Sequence, residues 1–189
     1  MASPKVIENA RQIMALNPIF LDTETTGFNQ DDVVIEIGVV DMHGGSLIES
    51  LVNPGMPIPK ESSEIHNITD SMVENSPLWK DIWGDVEQIL RGRVIGMYNA
   101  EFDLRLIKQT HSQHWIEGGI NVNKTFCVMK QFAAFYGEWD TRKSGFRYHK
   151  LDNAGRMCNI ALPNSHRAVD DARLTAELFA YIANFKPSK

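Results

Sequence analysis

Two carboxylates separated by a single residue follow a short apolar stretch near the N-terminus. Residues 19–21 (Ile-Phe-Leu) are typical of a buried β-strand, and Asp22 and Glu24 come directly after them. Side chains two positions apart in a strand point to the same face, so both acids leave one side of the strand. Like charges held this close raise each other's pKa unless a cation neutralises them, and hard divalent cations take oxygen ligands. A solvated turn completed by residues 25–27 is the alternative interpretation of this pair.

Two further acids stand where α/β proteins place functional groups. Asp103 follows a predicted strand at residues 93–98 and begins a helix, and sites of such folds form at strand ends and at the helix starts that follow. Taken alone, Asp103 is also explained as a charge that stabilises the first turn of its helix. Asp171 shares the apolar face of the last predicted helix, where a carboxylate costs free energy unless it is paired or binds a metal.

His166 stands five residues before Asp171, just outside that helix. A loop histidine is usually only a surface residue, but one beside a carboxylate of this kind is a candidate general base. Asp22, Glu24, Asp103 and Asp171 are four acids that could form a two-metal site of the kind used in phosphoryl transfer. In that chemistry the ions lie about 3.5–4 Å apart, one activating a water and the other stabilising the leaving oxygen.

Composition narrows the class of protein. A chain of 189 residues with 43% hydrophobic and 23% charged residues is predicted to be a single domain, residues 1–189, with a core at about 19–183. No apolar stretch is long enough for a membrane span, and two cysteines without metal-type spacing favour a reducing, cytoplasmic location. A net charge of −5 argues against a general nucleic-acid coat, but not against an enzyme that holds a nucleic-acid end through metal ions.

The elements that position these residues follow an α/β order. Strands are predicted at about 19–25, 33–41 and 47–52, with connections too short for crossover helices, so they form an antiparallel meander. Strands at 93–98 and 121–126 are each approached through a helix and are therefore predicted to run parallel to the first strand. The result is an α/β fold with a five-stranded mixed sheet in the order 3-2-1-4-5, flanked by helices, with the Asp22 strand at its centre.

A basic segment is the best candidate for a mobile or substrate-facing loop. Residues 137–150 are polar and contain Lys143, Arg147 and Lys150. Functional residues are common on such loops.

Three stretches together resemble a known family of nucleases. Residues 20–27 (Phe-Leu-Asp-Thr-Glu-Thr-Thr-Gly), 99–103 (Asn-Ala-Glu-Phe-Asp) and 166–172 (His-Arg-Ala-Val-Asp-Asp-Ala) resemble, in order, the exonuclease motifs of the DEDD superfamily. The histidine places the resemblance in the DEDDh, or DnaQ-like, branch of 3′–5′ exonucleases, which includes the proofreading subunit of polymerase III. Residues 127–130 (Cys-Val-Met-Lys) are similar to a stretch of exodeoxyribonuclease X-like members. The resemblance spans about residues 19–183.

The resemblance implies a ribonuclease H-like fold and two Mg²⁺ or Mn²⁺ ions. Asp22, Glu24 and Asp171 are expected to hold the first ion, with Asp22 bridging to the second, and Asp103 to reach the second directly or through water. His166 is the expected general base. The substrate is expected to be the 3′ end of single-stranded DNA, the product a nucleoside 5′-monophosphate. The expected substrate contacts are Thr25, His66, Ile68, Asn99 and Phe102.

Several alternatives stay open at this point. The same metal site would serve an exoribonuclease acting on RNA ends, because the 2′-hydroxyl that distinguishes RNA from DNA is recognised by the substrate pocket and not by the metal ions. An inactive nucleic-acid-binding relative would need only the fold. Asn67, Tyr98 and residues 124–125 (Lys-Thr) depart from the family pattern of Gly, His and Asp-Thr, which leaves the metal ligands intact but bears on substrate preference. A polymerase and a second copy of the chain are both open as partners.

Overall fold

A five-stranded mixed sheet is the centre of the computed structural model, which describes residues 3–161 and 166–186. Its strands stand in the order β3-β2-β1-β4-β5. β1 and β3 are antiparallel to β2, whereas β4 and β5 run parallel to β1. The predicted order, the mixed directions and the central place of the Asp22 strand are confirmed. The strands are β1 Ile19–Thr25, β2 Val34–Asp41, β3 Ser46–Leu51, β4 Ile95–Met97 and β5 Thr125–Cys127.

Helices cover both faces of the sheet. The first face carries α1, α6, α7 and α8, and the second carries α4 and α5. The period of two in β1 divides its side chains between them: Phe20 packs with the α8 face, and Ile19 and Leu21 with the α4–α5 face. The helices are α1 Pro4–Met14, α2 Lys60–His66, α3 Asp70–Val73, α4 Trp79–Leu90, α5 Ala100–Gln113, α6 Val128–Tyr136, α7 Leu151–Met157 and α8 Ala168–Asn184.

Three segments have features that were not predicted from the sequence. The fifth strand begins only at Thr125, because the Asn121 side chain accepts a hydrogen bond from the Asn123 N–H and holds Val122–Lys124 in a short 3-10 turn. Asn67 adopts a left-handed conformation, with φ of 59°, and separates α2 from α3. Two short strands, β6 Trp139–Asp140 and β7 Gly145–Phe146, pair within the predicted loop at residues 137–150.

Two further expectations concern the loop before α8 and membrane-spanning helices. The sequence before α8 also predicts a loop at residues 164–167, of which residues 164 and 165 lie outside the described residues. Among the helices that the structure describes, none is both long and apolar enough to cross a membrane.

Candidate active site

The two carboxylates of β1 lie at its C-terminal end, in the middle of the sheet. Asp22 stands opposite Gly38 of β2, and Glu24 stands opposite Glu36. Both acids are half-buried. Because β1 has neighbours on both sides, these side chains leave the sheet where the loop after β4 and the start of α8 converge.

Gly38 allows α8 to begin directly above Asp22. A Cβ atom built on Gly38 would lie 2.4 Å from the Val169 nitrogen and 2.5 Å from the Ala168 carbonyl carbon. Such distances are too short for any side chain, so only glycine permits this approach of helix and strand. The close approach brings Asp171, in the first turn of α8, toward the acids of β1. Asp171 is buried, as its place on the apolar face of the helix predicts.

Glu36 fixes the start of the same helix. Its fully buried carboxylate accepts hydrogen bonds from the Arg167 Nε at 2.9 Å and from the Ala168 backbone N–H at 2.9 Å, and the Arg167 Nη2 also contacts it. The hydrogen bond to Glu36 raises the pKa of Arg167 above its usual value. This ion pair, with a buried carboxylate and a partly exposed guanidinium, positions the backbone beside His166. Sequence reasoning did not predict it, and the available signal was a carboxylate in the middle of an apolar strand.

Asp103 reaches the site from the opposite side of β1. It lies in the first turn of α5, directly after β4, and is buried. Its Oδ1 accepts a hydrogen bond from the Thr23 Oγ1 at 2.9 Å. Thr23 alternates with Asp22 and Glu24 along β1, so this bond ties α5 to the strand that carries the other acids.

Burial and mutual repulsion raise the pKa values of acids in the site. Burial, and then the neighbouring Asp171, raise the pKa of Glu24 to about 8. Burial raises the pKa of Asp103 to about 7, although its hydrogen bond with Thr23 works in the other direction. Burial, and then the charges of Asp103 and Asp171, raise the pKa of Asp22 well above its usual value. A bound cation would stabilise the ionised form of these acids, because its positive charge offsets their burial and their mutual repulsion.

His166 joins this cluster as an exposed residue. Its backbone is left-handed, with φ of 50°, two residues before α8 begins. Ligand atoms of Glu24, His166 and Asp171 lie within 4.8 Å of one another. The carboxylate oxygens of the cluster are the donors that Mg²⁺ and Mn²⁺ prefer, so the residues fit the expected ions. The exposed imidazole leaves His166 accessible to a water molecule in the cleft.

An open cleft of about 490 Å³ contains all five predicted catalytic residues. Of the five predicted substrate contacts, Asn99 and Phe102 line the cleft. The other three, Thr25, His66 and Ile68, are buried and do not line it.

The three buried residues have structural contacts. The Thr25 Oγ1 donates to the Gly27 carbonyl at 2.6 Å, and the His66 Nδ1 accepts from the Ile68 N–H at 3.0 Å. Ile68 belongs to a small core cluster with Ile35. The sequence motif therefore located this segment near the site but did not reveal which way its side chains point.

Sequence reasoning missed several residues of the cleft wall. Tyr98 directly follows β4, and its hydroxyl donates to the His149 carbonyl at 2.7 Å, so it fixes the end of the 137–150 segment beside the acids. Burial raises the pKa of this phenol. Lys150 had been assigned to a substrate-facing loop, and its place in the wall agrees with that prediction. The wall residues that had not been singled out as site residues are Thr23, Tyr98, Met129, Tyr148, His149, Leu151 and Asp152.

Comparison with known proteins now identifies the family. The family model described as Exonuclease (RNase_T) matches residues 19–179, which is most of the chain. The chain belongs to the exonuclease family. Its motifs and its fold place this exonuclease among the DnaQ-like enzymes of the DEDDh branch, which are metal-dependent 3′–5′ exonucleases acting on nucleic acid.

Individual relatives agree with this assignment. The exonuclease is 35% identical over 184 residues to the uncharacterized exonuclease CP81 of Escherichia phage 186, with 94% of each chain covered. It is 32% identical to the DNA polymerase III subunit epsilon of Treponema pallidum, covering 84% of this chain and 72% of that one. It spans only 11% of the length of the PolC-type DNA polymerase III of Caldanaerobacter subterraneus.

A solved structure shares the fold. The structure of exonuclease X in complex with 5′ overhanging duplex DNA has a TM-score of 0.63 and 27% sequence identity. The match covers 88% of this chain and 90% of that one.

Proposed function

We propose that this exonuclease removes nucleoside 5′-monophosphates from the 3′ end of single-stranded DNA, using two divalent ions and a histidine base. The observation that carries the proposal is the convergence of Asp22, Glu24, Asp103 and Asp171 with His166 in one open cleft. The raised pKa values of the acids support cation binding, and the exposed imidazole supports proton transfer. We propose that residues 19–183 form a single catalytic domain.

Each residue has a distinct task in this proposal. Asp22, Glu24 and Asp171 would hold the first ion, and Asp22 and Asp103 the second. When bound, such ions neutralise charge on the phosphate and acidify the attacking water. His166 accepts the proton of that water through its imidazole nitrogen. Thr23 orients the Asp103 carboxylate through their hydrogen bond.

Substrate contacts are assigned by position in the cleft. Phe102 offers a ring face for stacking of the terminal base, and Asn99 offers an amide for hydrogen bonds beside it. Thr25, His66 and Ile68 are buried outside the cleft and are not proposed to contact the base. An unpaired terminal nucleotide fits the cleft because the acids lie below its surface, which favours single strands over duplex ends.

DNA is the proposed substrate because one relative is a subunit of DNA polymerase III, and the similar exonuclease X structure is a complex with DNA. RNA is the second candidate, since a DEDDh neighbour of the same fold is described as bound to rAMP. The free thiols of Cys127 and Cys158 support action in a reducing compartment such as the cytoplasm.

The test compares 5′-labelled DNA and RNA of the same sequence with Mg²⁺ and with EDTA. We expect a ladder of products shortened from the 3′ end, faster for DNA and absent in EDTA. The Asp22→Ala variant should produce no ladder, whereas Asp85→Ala, at an exposed acid of α4, should match the unmodified enzyme. Faster digestion of RNA would reassign the substrate. Loss of label from the 5′ end would overturn the assigned polarity.

A further inference from the structure

A hairpin with exposed aromatic rings lies beside the active site. We call residues 137–150 the aromatic hairpin; β6 and β7 are its strands. Trp139 pairs with Phe146 across these strands, with ring centroids 5.5 Å apart in an edge-to-face arrangement. The pair stabilises the hairpin, yet Trp139 is 57% exposed and Phe146 is 43% exposed. Tyr148, which follows the second strand, is 54% exposed. Large parts of all three rings therefore remain available to a ligand.

The aromatic hairpin also differs in charge from the rest of the chain. It carries a net charge of +2, in a protein whose net charge is −5. Arg147 is engaged, because its Nη1 donates to Glu138 at 2.7 Å. The Arg142 Nε lies 3.9 Å from the Asp140 Oδ1, yet the Arg142 side chain is 92% exposed, and Lys143 beside it is exposed as well. The charged residues are Arg142, Lys143, Arg147 and Lys150 against Glu138 and Asp140.

The aromatic hairpin is continuous with the catalytic cleft. Its strands line a groove of about 550 Å³, and Tyr148 lines both this groove and the cleft that contains the catalytic acids. Two hydrogen bonds fix the arrangement: the Arg147 N–H donates to the Glu138 carbonyl at 2.8 Å, and the Tyr98 hydroxyl donates to the His149 carbonyl. A polymer whose end lies among the acids can therefore continue past Tyr148 into the groove.

We propose that the aromatic hairpin binds the single-stranded part of the substrate upstream of the nucleotide being removed. Bases stack on Trp139, Phe146 and Tyr148, and the phosphates face Arg142 and Lys143. Exposed rings next to basic side chains are the combination with which proteins bind single strands without sequence preference. Net positive charge in an acidic protein favours a polyanion over a neutral or acidic protein partner. The proposal rests on the proposed nuclease function, and it adds a site outside the catalytic cleft.

The first experiment measures binding without turnover. The dissociation constant of a fluorescent single-stranded oligonucleotide is determined with Ca²⁺ in place of Mg²⁺. Trp139→Ala should raise it roughly 5- to 150-fold, the effect of losing one stacked base. Trp139→Phe keeps a ring and should stay near the native value. Trp115→Ala removes a tryptophan that is 92% exposed beyond the far end of α5, and it should change nothing.

Tyr148→Leu separates stacking from hairpin stability, because this residue lies outside both strands. It should also weaken binding of the oligonucleotide. If Trp139→Ala and Tyr148→Leu both bind with the native dissociation constant, the rings serve only to stabilise the hairpin and the proposal is wrong.

A second experiment tests the phosphate contacts through salt. The double variant Arg142→Ala with Lys143→Ala should reduce the slope of log affinity against log salt by about 1.4, since each phosphate contact to a single strand contributes about 0.7. Lys80→Ala, an exposed lysine of α4, is the control and should leave the slope unchanged. An unaltered slope in the double variant would contradict the assigned phosphate contacts.

Comparison of a small and a long substrate distinguishes failure of the hairpin from failure of the nuclease function. The p-nitrophenyl ester of thymidine 5′-monophosphate is small enough to occupy the catalytic cleft alone. In Trp139→Ala the ratio of kcat/KM for the oligonucleotide to that for the ester should fall by the factor seen in binding. A ratio equal to the native one overturns the hairpin proposal. If the native enzyme hydrolyses neither substrate, the nuclease function fails, while the binding measurements still decide the hairpin.

Discussion

Neutralising Asp103 should stabilise the metal-free protein while disabling its response to metal. Asp103 is buried, and burial raises the pKa of its carboxyl from 3.8 to about 7. The Asp103→Asn change keeps the oxygen that accepts the Thr23 hydrogen bond and removes only the charge. The folded variant therefore avoids the free-energy cost of ionising a carboxyl that is buried near three other acids.

The size and sign of this effect follow from proton linkage. The folded state binds a proton more tightly than the unfolded chain, so the contribution of Asp103 to stability is full below about pH 3.8. That contribution is lost as pH rises through about 7. Each pKa unit corresponds to about 1.4 kcal/mol, so three units give an upper value of about 4 kcal/mol at neutral pH. We expect a gain of about 2–4 kcal/mol in Asp103→Asn, or roughly 4–16 °C in Tm.

Thermal unfolding in EDTA at pH 7.5 and at pH 5 is the assay. The gain in Tm should be large at pH 7.5 and smaller at pH 5, where the native carboxyl is already protonated. Mg²⁺ should raise the Tm of the native protein more than that of Asp103→Asn. Asp85→Asn, at an exposed acid, is the control and should follow the native curve. A lower Tm for Asp103→Asn in EDTA at pH 7.5 would show that the charge supports the fold, and the reasoning would be refuted.

Three further substitutions test the parts of the site separately. His166→Ala should keep metal and DNA binding but lower kcat by about 10²–10⁴-fold, and a native kcat at neutral pH would require another base. Glu36→Gln should cost about 1–3 kcal/mol in urea unfolding, because it weakens the hydrogen bonds that the partly exposed Arg167 guanidinium donates to a buried carboxylate, and an unchanged midpoint would contradict this. Gly38→Ala should displace the start of α8, because its Cβ would lie 2.4 Å from the Val169 nitrogen, and it should therefore reduce the increase in Tm that Mg²⁺ produces. Gly84→Ala is the control and should be tolerated, because a Cβ at this position meets nothing within 4 Å.

The sheet order was predictable because connection length and strand direction are local properties of the chain. The short turns after β1 and β2 allow only antiparallel neighbours, and the helices before β4 and β5 supply the crossovers. The acids of β1 and the buried face of α8 follow equally directly from periods of two and 3.6 residues. These patterns indicated where the carboxylates converge before any contact was known.

The supporting contacts were not predictable, because each joins residues far apart in sequence. Glu36 meets Arg167 across 131 positions, and nothing near either residue identifies the other. The role of Gly38 depends on the path of α8, and the burial of Ile68 depends on how α2 and α3 pack against β2. β6 and β7 have two residues each, too few for an alternating pattern to be visible.

Counting bound Mn²⁺ tests the carboxylate cluster most directly. Electron paramagnetic resonance gives the number of ions bound per chain in the presence of a nucleoside 5′-monophosphate, for the native protein and for Asp22→Asn. Because Asp22 is the acid proposed to bridge both ions, we predict two bound ions in the native protein and greatly weakened binding of both in the variant. Native protein that binds no Mn²⁺, or an Asp22→Asn variant that binds it as tightly as the native protein, would contradict a metal-dependent site built on these acids.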